Sequence, residues 1–385
     1  SSSIKYQLVD IETREALASG IVERIGEALR PLTHKTGEEK HSVEFPIPDH
    51  TAGLRGVLKL FAKYGPDLNQ VGLVGVGHRV VQGADEFTAA TLVTPAVMAR
   101  IVELSPLAPL HNPANIQGIE AARAAFPELP QVAVFDTAFH ATLPSAAYTY
   151  AIDPDLAHQY RIRRYGFHGT SHQYVAHETA RAMGRPVEET NLITVQIGSG
   201  CSITAVREGH SVETSMGLTP LEGLVMGSRC GDIDPAIVFH LVREAGLDID
   251  QVDTLLNKKS GLLGMCGSLD VRDIHKAIRE GDPAAELAFD VFTHRLRQYL
   301  GGYCAQLGRV DAIAFTAGIG ENDPLSRAAA LSGLEGFGVE LDPVRNQNAR
   351  GLSLISTDTS RTQVWVTPTN EEYEIAHQTA ELILG

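Results

Sequence analysis

Two arginines stand beside glycines, Arg79 in VGHRVV and Arg229 in MGSRCG, and three acids, Asp136, Glu371 and Glu372, follow short apolar runs. The stretch RRYGFHGTSH, residues 163–172, adds two arginines and the histidines His168 and His172, and His111 lies in PLHNP. A guanidinium matches carboxylate and phosphate oxygens bidentately, and a pair of them could grip both ends of a transferring phosphoryl group. Acids at strand ends suit Mg²⁺, which takes oxygen ligands. His168 and His111 could donate hydrogen bonds to the same oxygens, whereas His140 and His172 read as structural. Each group has a plainer alternative: a surface salt bridge for either arginine, a helix N-cap for Glu371. Taken together they form a kit for phosphoryl transfer to or from a small anion, a reaction that asks mainly for positioning and positive charge.

The glycine-rich segments QIGSGCS and TAGIGEN fit the same chemistry, since small residues leave backbone N–H groups open to phosphate oxygens. The P-loop pattern, the protein-kinase set and the G-x-S-x-G elbow are absent. SSSIKYQLVDIETREALASG and GSGCSITAVREGHSVETS both read as a small polar turn, a strand, a charged turn and a second strand. A β-hairpin duplicated in two halves would supply two such phosphate-ready turns.

The elements that position these groups are legible as alternating strands and helices, which argues for α/β layers. Five runs, 71–81, 131–140, 192–206, 311–322 and 363–372, each pass from apolar, β-branched residues directly into glycine or polar ones. In open α/β sheets ligands gather beyond the carboxyl ends of strands, so these five junctions are the candidate site positions. Ile4, Tyr6 and Leu8 alternate as a strand does, and residues 282–308 carry helical spacing. With 385 residues, 43% of them hydrophobic, the chain is long enough for about two domains. A net charge of −15 argues against nucleic acid as a partner. No apolar run reaches the ~18–20 residues of a membrane span, and no signal-like segment opens the sequence, so a cytoplasmic protein with no membrane partner is expected. Four cysteines, scattered without metal-type pairs, read as reduced thiols.

The strings SSSIKYQL, GHRVVQG, APLHNP, FDTAFH, RRYGFHGTSH, TSMGLTPLEGLVMGSRCGDIDP, NKKSGLLG, FTAGIGEN and TNEE, in this order, resemble the motifs of the acetate kinase family over essentially the whole length. The resemblance implies two actin-like (ribonuclease H-like) ATPase domains of duplicated topology around a central cleft. The expected domains are residues 1–139 with 371–385, and 140–370, the second binding nucleotide. It also implies a homodimer and the reversible reaction of ATP and acetate to ADP and acetyl phosphate by direct in-line transfer, with Mg²⁺ or Mn²⁺. Carried over by position, Arg79 resembles the carboxylate-binding arginine, Arg229 the transition-state arginine, His168 the histidine on the transferring phosphoryl, and His111 a supporting one. Asp136 matches an acid that positions acetate and metal, Glu371 a magnesium ligand, and Val81, Leu110, Phe167 and Pro220 a small apolar acetate pocket. Nucleotide contacts correspond to Gln196, Ile197, Gly198, Ser199 and Gly200, to Asp270, Val271 and Arg272, and to Gly318, Ile319, Gly320, Glu321 and Asn322. Ser1, Ser3 and Lys5 would lie near the phosphates.

The sequence departs from the family in three places. QIGSG stands where HLGNG is usual, so Gln196 and Ser199 replace a histidine and an asparagine. A strand and a metal-associated asparagine are expected ahead of Ser1. Milder changes are ETSMG for DTSMG and MGSRCG for MGTR-x-G. Competing readings are a propionate or butyrate kinase, because one methylene is worth only ~1–3 kcal/mol of discrimination; a pyrophosphate-dependent enzyme, raised by Gln196 and Ser199; and a non-catalytic actin-like ATPase, which would have no need of Arg79, His111, Phe167 and Arg229 together.

Overall fold

A computed structural model describes residues 3–23, 25, 30–109 and 111–385. The chain divides into two compact units, Ser1–Ala138 with Asn370–Gly385, and Phe139–Thr369.

In the first unit, β1 (Ile4–Val9), β2 (Ala16–Val22), β3 (Arg30–Thr36) and β4 (Glu39–Phe45) form an antiparallel meander. The alternation of Ile4, Tyr6 and Leu8 is the pleat at work: all three pack on a core of Val22, Leu32, Val57 and Phe61. That core is closed by the helix His50–Tyr64, whose N-cap Asp49 accepts from the Ala52 N–H at 2.7 Å. A second sheet has the order β5 (Val76–Val80), β7 (Gln131–Phe135), β6 (Thr91–Leu92), with β5 and β7 parallel. Every residue of β7 is buried, so its QVAVF run needs no polar alternation.

The glycines ahead of Arg79 have a packing reason. A Cβ on Gly75 would lie 2.4 Å from Ile383 Cδ1, and one on Gly77 2.4 Å from Thr379 Oγ1. Both contacts belong to the C-terminal helix Glu371–Leu384, which seats against β5 because those positions lack side chains. Residues 75, 77 and 79 share one face of a strand with period two, so Arg79 follows on the face that meets this helix.

The second unit holds a six-stranded sheet of order β10 (His210–Thr214), β9 (Cys201–Arg207), β8 (Asn191–Ile197), β11 (Ala312–Thr316), β13 (Gln363–Val366), β12 (Ser353–Leu354). Strands β8, β11 and β13 run parallel; β9 is antiparallel to β8, and β10 to β9. The small-turn hairpins seen in the sequence are β1–β2 and β9–β10. The helix Pro283–Leu307 starts where Asp282 caps the Ala284 N–H at 2.8 Å, within one residue of the expected start.

The helix Gly169–Ala182 lies on one face of this sheet. Its residues 168, 172, 176 and 180 recur every four positions, one stripe of a helix. Ala176 and Ala180 meet the apolar row Leu192, Val206 and Ala312. One turn toward the N-terminus, His172 meets the polar residues Thr194 and Ser202 instead. The sheet face thus changes from apolar to polar toward the ends of β8 and β11. The four cysteines are free, and among the described residues no helix is long and apolar enough to cross a membrane.

Candidate functional site

In the first unit Arg79 Nε and Nη2 donate to the two oxygens of Asp136 at 2.8 and 2.6 Å, a fork-to-fork pair. Asp136 is held where β7 ends by its own N–H, which donates to the Val80 carbonyl at 2.9 Å. Asp136 is buried and holds Arg79 firmly protonated by its charge and its hydrogen bonds. Glu371 Oε2 stands 3.8 Å from Arg79 Nε, and Glu372 pairs with Lys5 at 3.6 Å. Burial pushes the Glu371 carboxyl above the usual glutamate range; Asp136 and Glu372 push it the same way, and Arg79 and Lys5 oppose them.

The chain beyond Arg79 is held by a second helix. Asn115 Oδ1 accepts from the Val81 N–H at 3.2 Å, and Asn112 Oδ1 from the Gln82 N–H at 3.1 Å. Asn112 opens the helix Asn112–Ala125, whose N-cap position is His111. His111 and the buried Val81 therefore belong to one local assembly with Arg79, while Leu110 and Ser1 lie outside the described residues.

In the second unit the turn Gly198–Gly200 joins β8 to β9, its ends tied by the Gly198 N–H donating to Gly200 O at 3.1 Å. The loop carrying Arg229 is pinned to this turn through Gly227 N–H to Ser199 O, 3.3 Å, and to the helix Gly261–Cys266 through Leu262 N–H to Met226 O, 3.0 Å. Gly261 makes that approach, since a Cβ there would sit 2.2 Å from Met226 O. A Cβ on Gly200 would lie 2.6 Å from Arg229 Nη2, 3.4 Å from His168 Cε1 and 3.5 Å from His168 Nε2. A guanidinium and an imidazole edge therefore converge over one glycine. Arg229 Nη1 also donates to the Pro220 carbonyl at 2.5 Å, which makes Pro220 an anchor for the guanidinium as well as an apolar surface. Burial pulls the Arg229 guanidinium below its usual range, and among the described residues no carboxylate pairs with it.

His168 has a left-handed backbone, φ 56°, at the N-cap of the helix Gly169–Ala182. Its Nδ1 is 2.8 Å from Ser202 Oγ. Phe167 is buried, and its carbonyl accepts from His140 Nε2 at 2.9 Å, which fixes the proton of His140 on Nε2; Ser211 Oγ then donates to Nδ1, 2.9 Å away. Burial pushes His140 down to about 4 and His172 well below the usual histidine range. Both fit the structural reading made of them, as neutral, fully paired rings.

Of the remaining nucleotide candidates, Gln196 and Ile197 end β8, and Ser199 is exposed in the turn. Gln196 Oε1, its registered neighbour Thr316 Oγ1 and Thr170 Oγ1 are buried without a hydrogen-bond partner among the described residues. Gly318, Ile319, Gly320, Glu321 and Asn322 lie in the short helix Ala317–Asn322 after β11, and a Cβ on Gly318 would meet open space. Sequence reasoning missed what braces this helix: the buried Arg327 donates through Nη1 to the Gly320 and Glu321 carbonyls at 2.8 and 3.0 Å. No motif marked it. Asp270 and Arg272 pair with each other at a helix start; Asp270 caps Val271–Arg279, and Arg272 lowers it to about 2. Ser3 is described, and Lys5 is committed to Glu372.

A family model described as the Acetokinase family matches residues 1–377. The chain is 54% identical over 386 residues to the acetate kinase of Clavibacter michiganensis subsp. michiganensis (strain NCPPB 382), covering 100% of this chain and 98% of that one. The crystal structure of Porphyromonas gingivalis acetate kinase is similar with a TM-score of 0.95 at 40% identity, covering 100% of this chain and 98% of that one. A propionate kinase from Francisella tularensis subsp. tularensis SCHU S4 is similar with a TM-score of 0.92 at 39% identity, covering 98% and 96%.

Proposed function

The chain belongs to the acetokinase family, an actin-like two-domain α/β fold whose reaction moves a phosphoryl group between ATP and the carboxylate of acetate, and we propose how its own residues divide that work. The non-catalytic reading falls with this membership. One acetate oxygen attacks the γ-phosphorus in line; an O–P bond forms as the β,γ-bridging bond breaks, and the electron pair leaves on ADP. Acetate is ionised at neutral pH, so no general base is needed. Two of Arg79's five N–H groups are committed to Asp136, and among the described residues no hydrogen bond takes the remaining donors, which can hold the acid. Asp136 then acts as the orienter of Arg79, with His111 and Val81 in the same unit.

The observation that carries the reading is the convergence of Arg229 Nη2 and His168 Nε2 over Gly200, with no carboxylate neutralising Arg229 among the described residues. That arrangement offers preorganised positive charge to phosphoryl oxygens in a glycine turn. Gln196, Ile197, Gly198 and Ser199 line the same turn; the unpaired Thr316 and Thr170 hydroxyls can donate to phosphate oxygens, and Gln196 Oε1, an acceptor, suits their bound water. The helix Ala317–Asn322, with open space over Gly318, suits the nucleoside part.

The oxygen donors here suit Mg²⁺ rather than a soft metal: among the described residues Asp136 and Glu371 face Arg79, and Glu372 faces Lys5. Both oxygens of Asp136 are taken by Arg79, which leaves Glu371 as the residue that would hold the ion. When bound, Mg²⁺ or Mn²⁺ neutralises phosphate oxygens. A homodimer completes the reading, since the helix Ala236–Glu244 buries none of its residues and leaves Ile237, Phe239 and Val242 exposed, a face that a second copy would cover.

Acyl phosphate formation tests the proposal, with acetate, propionate and butyrate each assayed against ATP and pyrophosphate. Acetate with ATP is expected to give the highest kcat/KM. Absence of acyl phosphate under every pairing refutes the reading, and a higher kcat/KM for propionate moves the substrate.

A further inference from the structure

The short helix Ala317–Asn322 buries only Gly320, so apolar packing does little to locate it, and hydrogen bonds at its far end do that work. The carbonyls of residues 318–321 are all taken: Asn322 Nδ2 donates to Gly318 O at 2.9 Å, the Asp323 N–H to Ile319 O at 2.8 Å, and Arg327 to the Gly320 and Glu321 carbonyls. Asp323 is the pivot of this end. Its backbone closes one helix while its side chain caps the next, Pro324–Leu331, accepting from the Leu325 and Ser326 N–H groups at 3.2 and 3.3 Å. Asp323 Oδ2 also accepts from Ser326 Oγ at 2.5 Å and from His275 Nε2 at 2.9 Å. His275 belongs to the helix Val271–Arg279, 48 residues earlier in the chain.

We propose that His275 is a positioning residue for nucleotide binding: through Asp323 it anchors the helix Ala317–Asn322 to the helix Val271–Arg279, and so fixes the floor on which the nucleoside rests. This rests on the reading given above that the open space over Gly318 receives the nucleoside.

The chemistry of the pair fixes its direction. Burial pushes the Asp323 carboxyl up, but the hydrogen bonds from His275 and Ser326 outweigh it and hold the group below the usual aspartate range. An ionised carboxylate only accepts, so His275 donates from Nε2, a proton that both the neutral Nε2–H ring and the imidazolium supply. The two side chains are 11% and 10% exposed, and a charge-assisted bond so shielded from water belongs to the strong class. The anchor is itself well seated. Val271 and Ile274 are buried, and the His275 ring stands edge-on to Phe289 of the helix Pro283–Leu307, centroids 4.9 Å apart. Among the described residues no other hydrogen bond joins Val271–Arg279 to residues 317–331. Loss of this one bond therefore frees the pivot without touching the Arg327 brace.

The test uses the full-length protein and reads kcat, KM for ATP and for acetate, and the inhibition constant of inorganic triphosphate, a probe without a nucleoside. His275→Ala is expected to raise KM for ATP by ~5-fold or more, with kcat, KM for acetate and the triphosphate constant within ~2-fold. His275→Gln, whose amide can donate to the same carboxylate, should bring KM for ATP back to within ~2-fold of wild type. Asp323→Ser keeps a good helix cap but is too short to reach His275, and should match His275→Ala. The two changes combined should be no worse than either alone. Wild-type KM for ATP in both single variants overturns the proposal. So does an equal rise in the triphosphate constant, or a His275→Gln enzyme no better than His275→Ala. If His275→Ala fails to fold, Asp323→Ser and its triphosphate control decide. Gly318→Leu fills the open space over that residue and tests the nucleoside reading by itself. Wild-type ADP affinity in Gly318→Leu refutes that reading, whereas weakened ADP binding there with wild-type KM for ATP in His275→Ala refutes the anchor alone.

Discussion

Gly200→Ala isolates the placement of Arg229 from its charge. A Cβ at this position lies 2.6 Å from Arg229 Nη2, and an ordinary contact begins near 3.4 Å, so the guanidinium must retreat by about 0.8 Å. Gly200 has no left-handed backbone angle, and the side chain that must yield is a flexible one, so the melting temperature should stay within ~2 °C. Catalysis has no such latitude. A misplacement of about 1 Å costs ~100-fold, and loss of one charge-stabilising donor costs ~100- to 1,000-fold. Turnover is therefore expected to fall by ~100-fold, which is about 2.7 kcal/mol of barrier. Initial rates of ADP release and a thermal melt measure the two effects, and Arg229→Ala provides the cycle. If the alanine acts by displacing Arg229, the double variant should be within ~3-fold of Arg229→Ala alone, the residue reporting contact with the His168 ring. Wild-type turnover in Gly200→Ala, or strictly additive losses, would refute the argument that the guanidinium works from above this glycine.

Glu371→Gln should raise the Mg²⁺ concentration for half-maximal activity by at least ~10-fold, and because burial raises the Glu371 carboxyl, the wild-type Mg²⁺ requirement should climb as pH falls toward it while the variant's stays flat. A wild-type requirement in Glu371→Gln would remove this residue from the metal. Stability should also carry a histidine signature: a folded value of about 4 against ~6.5 unfolded means that His140 contributes fully above pH 6.5 and loses that contribution as pH falls through 4. The loss amounts to about 2 kcal/mol by pH 5 and about 3 kcal/mol by pH 4, with His172 acting in the same direction. Denaturant midpoints at pH 7.5, 6 and 5 measure it, and an equal acid loss in His140→Asn would show that other groups are responsible.

What the sequence disclosed was local. The period-two alternation in β1, the buried QVAVF run and the helix after Asp282 follow from propensity and burial pattern, and each appears where its pattern put it. Less accessible were the partners. Gly75 and Gly77 advertise a close approach, yet nothing in GVGHR says that the approaching element is the helix Glu371–Leu384, far along the chain. The spacing 168, 172, 176, 180 is a readable stripe, but the serine that joins its histidines sits on β9 and carries no motif. Arg327 was invisible for the same reason: its value lies in bracing the Gly320 and Glu321 carbonyls, and a buried arginine looks in sequence like any surface one. Asp270 and Arg272 carry a local signal of their own, since two residues apart they satisfy each other at a helix start.

The polar row at the ends of β8, β9 and β11 ties these observations to chemistry. Gln196, Ser202 and Thr316 occupy registered positions on three adjacent strands, so they share one face of the sheet. Ser202 is satisfied by two histidines, whereas Gln196 Oε1 and Thr316 Oγ1 have no partner among the described residues. A buried polar atom left unpaired costs roughly 1–3 kcal/mol, a cost that a folded chain tolerates where a ligand or its water supplies the missing bond. Beside a glycine turn over which an arginine and a histidine converge, the Thr316 hydroxyl can donate to a phosphate chain, and Gln196 Oε1, an acceptor, needs water for its bond. Gln196 stands where the family resemblance expects a histidine, and an amide keeps its donor and acceptor at every pH.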